Sequence, residues 1–203
     1  MKLYFSPGSC GLAAQISLRE VGAEFELVKV DFATKRTVEG DYLEVNPKGF
    51  IPSLKLESGA IVTEGAVILQ WIADAYPGAR LLPSPGSMER YHALEWLNYI
   101  ATDLHKGMAV MFSGLIDGES KVRFADGNLA ARFAYVNDHL ASNDYVLGER
   151  FSAVDGYLYN VLRWPVRVKV DISGYGAIQA YMRRMEKRPS VIAALGAEGP
   201  AAY

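Results

Sequence analysis

A single cysteine stands in 203 residues, so no disulfide can close within the chain and packing must hold the fold. Charge of one sign is also missing. The 21 Lys and Arg face 23 Asp and Glu, which leaves no broad field to draw nucleic acid or an anionic lipid surface. No apolar run approaches the roughly 20 residues that cross a bilayer, and Met1 to Pro7 holds no apolar signal core. The expectation is a cytoplasmic protein with neither nucleic acid nor membrane as partner. A His-Glu-x-x-His zinc helix, a Gly-x-x-x-x-Gly-Lys phosphate loop, a Cys-x-x-Cys pair and a Gly-x-Ser-x-Gly elbow are all lacking. Neither a metal nor a nucleotide cofactor is implied.

What is present is a hydrophobic half of the composition, enough for one large or two compact domains. Leu3-Tyr4-Phe5 reads as a short strand stopped by Ser6-Pro7-Gly8, and Leu12 to Glu20 carries helical spacing. Phe25 to Val30 alternates as a second strand, closing a βαβ unit. After an irregular stretch through Asn46-Pro47-Lys48-Gly49, the segments 53–56 and 60–63 flank Glu57-Ser58-Gly59 as a hairpin. Thr63 offers a hydroxyl cap for a helix that carries Ile68 and Ile72 and runs to Tyr76.

Pro77, Gly78, Pro83, Pro85 and Gly86 mark a linker over 77–86. It divides a first domain, 1–76, from a second, 87–203, that reads as all helical. Leu97, Ala101, Leu104 and Met108 form one stripe, with further helices expected over 129–140, 158–164 and 177–188. Ser152 and Asp155 make a capping box, although Gly156 leaves Phe151 without a staple partner.

The run Lys2-Leu3-Tyr4-Phe5-Ser6-Pro7-Gly8-Ser9-Cys10, the segment Val45 to Pro52, and Thr63-Glu64-Gly65 resemble the glutathione-binding segments of soluble glutathione S-transferases, most of all the bacterial beta class. Glu95 to Tyr99, Leu104-His105-Lys106-Gly107, Gly148 to Asp155 and Ala197-Glu198-Gly199 continue the match, which covers essentially the whole chain. The fold this implies is an α/β thioredoxin-like N-terminal domain, βαβ then ββα, followed by an all-α C-terminal domain. The implied activity is conjugation of the glutathione thiolate to small apolar electrophiles. Glutathione is then the co-substrate, and a homodimer the expected assembly.

Each candidate residue has its own physical reading. Cys10 sits at a helix start, where free N–H groups favour an anion and would lower a thiol pKa from about 8.5; the alternative is a small buried hydrophobe. Ile51-Pro52 precedes a strand, and the resemblance implies a cis bond there, with the Ile51 backbone pairing the cysteinyl unit of glutathione. Glu64 and Gly65 open a helix whose amides can hold a carboxylate while the Glu64 side chain meets an ammonium. Asn98 and His105, seven apart, fall about 10.5 Å apart along one helical stripe. The resemblance places His105 near the glutathione sulfur, and Lys106 and Lys35 near its glycyl carboxylate. Phe5, Met108, Met111, Phe112 and Trp164 are soft or aromatic groups suited to an electrophile pocket. His92 and His139 receive no role.

Departures from the family pattern fall around the thiol: Phe5 stands where many relatives have tyrosine, and Gly11 and Gln15 replace a serine and a histidine. Two other readings remain open. Cys10 could itself attack a glutathione disulfide, as glutaredoxin-like relatives do, or the chain could be a binding module that has lost turnover.

Overall fold

Leu3 and Phe5 are large, apolar and flanked by tight-turn residues, and they lie in an interior strand of a four-stranded sheet. The computed structural model describes residues 1–199. Its strands are β1 (Lys2–Phe5), β2 (Glu26–Lys29), β3 (Arg36–Thr37), β4 (Gly40–Asp41), β5 (Ser53–Lys55) and β6 (Ile61–Thr63). The main sheet has the order β2-β1-β5-β6, and β3 with β4 forms a separate two-stranded ribbon. Leu3 faces Leu27 across a parallel pair and Leu54 across an antiparallel one. The parallel pair requires a crossover, supplied by helix α1 (Gly11–Glu20). The antiparallel pair β5–β6 needs only a tight turn, where Gly59 takes φ +88°. The βαβ then ββα order expected from the sequence is the order found.

Chain contacts divide the protein into two compact units, Met1–Leu82 with the C-terminal segment beginning at Arg188, and Pro83–Lys187. In the first, α1 packs against α2 (Gly65–Ala75) and against the last helix of the chain, Pro189–Glu198. With covers on several sides, α1 buries every residue from Gly11 to Leu18. The last helix is tied on by Arg188, whose guanidinium donates to both Glu20 carboxylate oxygens at 2.9 Å.

In the second unit the helices are α3 (Met88–Tyr99), α4 (Lys106–Phe112), α5 (Gly118–Phe124), α6 (Ala130–Ala141), α7 (Ala153–Leu162) and α8 (Gly176–Met185); the last helix, Pro189–Glu198, is therefore α9. α3 passes into α4 through a π-helical stretch, Ile100–His105, and α5 into α6 through another, Ala125–Leu129. The wider turns break the α-helical register assumed for Asn98 and His105, so their straight shared stripe is corrected.

α7 is buried over its whole length. Its entry carries the capping box, with the Asp155 carboxylate accepting from the Ser152 N–H at 2.8 Å and the Ser152 hydroxyl at 2.7 Å. The same carboxylate accepts from the Val146 N–H at 2.8 Å and the Tyr181 hydroxyl at 3.3 Å. Burial pushes the Asp155 carboxyl up to about 6 against the pull of these donors. Phe151, denied a staple partner by Gly156, packs its ring edge-on against Tyr145 at 6.2 Å.

Several boundaries move. Thr63 does not cap α2; it ends β6 and accepts from Lys48 Nζ at 2.9 Å, while Glu64 holds the capping position without a side-chain bond. The helix expected to start at 129 is preceded by α5, capped by Asp117 through the Ser120 N–H at 2.8 Å. α5 buries none of its residues, so it has no apolar stripe to read. The helix expected over 158–164 starts earlier and ends sooner, at Ala153 and Leu162. The one expected to reach 188 stops at Met185, since Pro189 forces Arg188 into extended backbone (ψ 132°).

Replacing Asp155 by Ala strands the Val146, Ser152 and Tyr181 donors and should cost about 3 kcal/mol or more in urea unfolding. A loss below about 1 kcal/mol would mean that solvent takes over the carboxylate's bonds. An acid whose folded pKa is raised stabilises the native state below its unfolded value and loses that contribution as pH climbs through the folded one. Wild type should therefore lose stability relative to Asp155→Asn as pH rises from about 4 to about 6.

Candidate functional site

In the first unit the site is built around the loop that joins β1 to α1. Ser6-Pro7-Gly8-Ser9 turns the chain, and Cys10 occupies the capping position of α1, half-buried and with its side chain not used as a cap. Its thiol instead donates to the Ile51 carbonyl oxygen, Sγ to O 3.1 Å. From the far end of the chain, the Glu198 carboxylate accepts from the Gly8 N–H at 3.3 Å. Gly11 is needed for close approach, because a Cβ there would stand 3.0 Å from that of Phe5.

The second edge is the loop entering β5. The Ile51–Pro52 bond is cis, as the resemblance implied. The Tyr42 hydroxyl donates to the Phe50 carbonyl at 2.7 Å and lies 2.6 Å from Ser53 Oγ, while Asn46 Nδ2 donates to the same carbonyl at 2.7 Å. With its one proton on Phe50, Tyr42 must accept from Ser53. Tyr42 is fully buried beside Tyr4, Val28, Val30 and Ile51, so the loop is pinned to the core. A third edge is the start of α2. Glu64 takes φ +67°, a left-handed backbone that non-glycine residues hold only where surroundings impose it. Its exposed carboxylate pairs with Lys48 Nζ. Lys35, also left-handed at φ +57°, lies with its ammonium 3.5 Å from the Phe32 ring centre, and burial lowers its pKa.

In the second unit His105 ends the π-helical stretch. Its Nδ1 lies 2.8 Å from the Tyr157 hydroxyl, and its ring stands edge-on to Trp164 at 4.8 Å. Burial, with the neighbouring Lys106 ammonium, lowers the His105 pKa to about 4, so the imidazole is neutral at physiological pH. Trp164 continues edge-on to Phe112 at 6.0 Å, and the Arg167 guanidinium lies 5.5 Å from the Phe112 ring centre. Phe112 is 45% exposed, whereas Met108 and Met111 are buried at 0% and 7%. Asn98 and Lys106 are exposed.

The structure thus joins Cys10 with Ile51, and His105 with Trp164 and Phe112. Phe5, at 4% exposure, belongs to the core of its own unit. Tyr42, Lys48 and Tyr157 were not singled out by the sequence. Lys48 lay inside the quoted Asn46 to Gly49 motif, but Tyr157 lies 52 residues from the histidine it meets, and no local pattern reports that distance. A separate cavity of about 710 Å³ opens among Trp96, Tyr99, Tyr135 and His139 and contains none of the expected site residues. Among the described residues no cluster of His, Cys, Asp and Glu could hold a metal ion, and no helix is long and apolar enough to cross a membrane.

Two family models match the chain, the N-terminal domain of glutathione S-transferase over residues 1–74 and its C-terminal domain over 99–189. Glutathione S-transferase GstA of Escherichia coli O157:H7 is 46% identical over 200 residues, covering 98% of this chain and 99% of that protein. A sphingomonad glutathione S-transferase solved with glutathione superposes with a TM-score of 0.94 at 43% identity, covering 99% and 100% of the two chains. The beta-class enzyme of Sphingomonas chungbukensis gives 0.93 at 41%, covering 98% and 99%. With both halves matched and the likeness running from end to end, the chain belongs to the glutathione S-transferase superfamily, as an enzyme of its bacterial beta class.

Proposed function

We propose that the chain binds glutathione along the Cys10, Ile51 and Glu64 edges and transfers it, as a thiolate, to a small apolar electrophile. One observation carries this reading: the Cys10 thiol lies 3.1 Å from the carbonyl of Ile51, the residue whose backbone is to pair the cysteinyl unit. A peptide held there would bring its own sulfur to the start of α1. The Glu64 carboxylate and the Gly65 end of α2 suit the γ-glutamyl ammonium and carboxylate. Asn98, His105 and Lys106 are read as the contribution of the helical half, with Lys35 and Lys106 answering the glycyl carboxylate.

Chemically, the bound thiol gives its proton to solvent, the sulfur lone pair attacks the electrophilic carbon, and the leaving group departs as an anion. The protein's part is to favour the thiolate with preorganised donors. The pocket for the electrophile is assigned to 87–203 and to the ladder of His105, Trp164 and Phe112, with the buried Met108 and Met111 as apolar support; Phe5, buried in the core of the first unit, is not counted on to line it. Residues 1–76 form the glutathione-binding part. Conjugation of this kind suits a detoxifying role, which we place in the cytoplasm.

A second reading is favoured by the half-exposed Cys10 thiol. As a thiolate it attacks a glutathione disulfide, forming the protein–glutathione disulfide and releasing one glutathione thiolate. Cys10→Ala separates the two readings. Conjugation of a generic aromatic halide should survive within about tenfold, while thiol–disulfide exchange and the mixed disulfide detected by mass spectrometry vanish. A thousandfold loss of conjugation with glutathione still bound would instead make Cys10 the nucleophile.

Glu64→Ala should weaken glutathione binding by about 1.5–3 kcal/mol in calorimetry, since a charged hydrogen bond is lost. An unchanged dissociation constant in folded protein would move the γ-glutamyl site elsewhere.

The helical half leaves Met88, Tyr91 and Tyr135 more than half exposed, at 63%, 54% and 55%, which supports the homodimer implied by the family. Sedimentation at micromolar concentration should give twice the 22.3 kDa chain mass; a single species at the chain mass excludes it.

A further inference from the structure

We propose that the cavity of about 710 Å³ in the helical unit is a binding site for a small organic cation, a quaternary ammonium carried on a flat apolar body. The site is separate from the proposed glutathione edges and does not depend on them.

The cavity lies within one unit, Pro83–Lys187, and two helices build its inner wall. On α3, Glu89, His92, Trp96 and Tyr99 follow at three- and four-residue steps and so share one face; on α6, Tyr135 and His139 do the same. Trp96 stacks on Tyr135 with ring centres 5.5 Å and planes 25° apart. Tyr99 stands edge-on to both, at 5.8 and 5.3 Å. His139 packs on Trp96 at 4.5 Å, and its Nε2 donates to the Val146 carbonyl at 2.8 Å. Val146 is held in turn by Asp155, which accepts its N–H. The wall is therefore braced by the carboxylate that fixes the start of α7, and the fold holds its rings in place.

Two observations set the charge of the ligand. The first is the ring faces, each the negative side of a quadrupole that attracts cations. Two other exposed rings carry a cation of the chain's own: Phe32, 50% exposed, with the Lys35 ammonium at 3.5 Å, and Phe112, 45% exposed, with the Arg167 guanidinium at 5.5 Å. Tyr135 is 55% exposed and Trp96 half-buried, yet neither has a Lys or Arg over its ring among the described residues. Arg132, whose charge reaches Tyr99, is already paired with Asp103 at 3.1 Å.

The second observation is the mouth. Glu89 and Glu95 line the cavity and are exposed. Glu89 has no ion-pair partner among the described residues, and Glu95 meets His92 at 2.7 Å in an exposed pair of the weak kind. None of the described lining residues is Lys or Arg.

Other occupants fit less well. An anion would face two carboxylates and the negative side of the rings. An apolar side chain from a second copy would bury the carboxylates with no counter-charge. A neutral flat molecule gains stacking but leaves the charges unanswered. A quaternary ammonium asks for ring faces and negative charge and for no hydrogen-bond acceptor. The volume falls in the range of roughly 300–1,000 Å³ typical of small-molecule sites, which admits an apolar body as well. Tyr135 is also among the exposed residues that support the homodimer, so the test must separate a small cation from a second copy.

Calorimetry with naphthylmethyl-trimethylammonium, its neutral isostere with carbon in place of nitrogen, and naphthalenesulfonate reads the charge preference directly. The cation should bind wild type about tenfold or more tightly than the isostere, and the sulfonate should show no saturable binding. No binding of the cation at millimolar concentration, equal affinity for cation and isostere, or a preference for the sulfonate overturns the proposal. Glu89→Gln should weaken the cation about threefold and leave the isostere unchanged, and Tyr135→Ala should weaken the cation about tenfold. Both positions are exposed, so the fold should persist, which the urea midpoint checks. A cation affinity untouched by both changes places it elsewhere and overturns the site. Saturating glutathione should leave the cation's dissociation constant within about twofold; direct competition would put the cation at the thiol site instead. Were a second copy to fill the cavity, the cation would bind only as the dimer dissociates, its apparent affinity rising on dilution in step with sedimentation, and that result also overturns the proposal.

Discussion

A helix with no wet face pays for every polar group left unpaired, and in this protein that constraint falls on α7, where Asp155 meets it while the buried Asn160 amide has no hydrogen-bond partner among the described residues. Its sequence, Ala153 to Leu162, includes Asp155, Tyr157, Tyr159 and Asn160, all buried. The carboxylate of Asp155 meets it by gathering donors from the chain before the helix and from α8. Once so many bonds converge on one residue, the helix has little freedom to slide or rotate, because any shift breaks several at once. Tyr157 inherits that rigidity two residues later. Its hydroxyl then fixes a histidine that would otherwise be free to turn about its side-chain bonds. The capping box at the start of the helix and the Tyr157 hydroxyl that meets His105 thus stand on one rigid element.

The first unit solves an analogous problem with a loop. Phe50 to Pro52 lies outside the strands, and its Ile51 carbonyl accepts from the Cys10 thiol. Tyr42 and Asn46 hold it instead, both through the Phe50 carbonyl. The residue that receives support is thus one place removed from the residue expected to do the binding. At the thiol, the departures from the family pattern have structural consequences. Phe5 is buried against the space that Gly11 leaves open, so a larger residue at 11 would need the β1 backbone to give. Gln15 is wholly buried, with no partner for its amide among the described residues; the structure offers no account of how that group is satisfied.

Legibility in the sequence followed the range of the interaction. Helices with a one-sided apolar pattern, such as α2 and α6, announced themselves, as did β1, a short apolar run stopped by Ser6-Pro7-Gly8, and the Ser152 box, whose two ends are three residues apart. α5 escaped because it buries nothing, and α9 because its short run of small residues has little amphipathic contrast. The ribbon of β3 and β4 is only two residues per strand. In the site, Cys10, Ile51, Glu64 and His105 were read from motifs, since each sits at a boundary between elements that has a local signature. Tyr42 and Tyr157 had no such signature, because they meet the residues they hold across the fold, and Glu198, although inside a family motif, gave no local sign of its bond to the Gly8 N–H. Thr63 was misread for a local reason: it has the chemistry of a cap, but the strand register holds it one residue short of the helix.

The Glu64 edge, proposed for the γ-glutamyl end, is already engaged within the fold. Its carboxylate is not idle, for the Lys48 ammonium already pairs with it and with the Thr63 hydroxyl. In the proposed reading a glutathione ammonium arriving there would replace one cation by another, so the gain would be the difference between two ion pairs and not the whole of one. Because the existing pair is largely exposed, with side chains 48% and 62% accessible, it is weak, about 0–1 kcal/mol, and easily displaced. The new pair would be flanked by the α2 amides and covered by the rest of the peptide, which makes it the stronger of the two. The backbone belongs to the same arrangement: Glu64 holds a left-handed φ, a conformation that the fold imposes on a non-glycine residue. In the proposed reading, selectivity for the γ-glutamyl end would come from offering a carboxylate and a helix N-terminus side by side, a pair that a group carrying both an ammonium and a carboxylate answers at once.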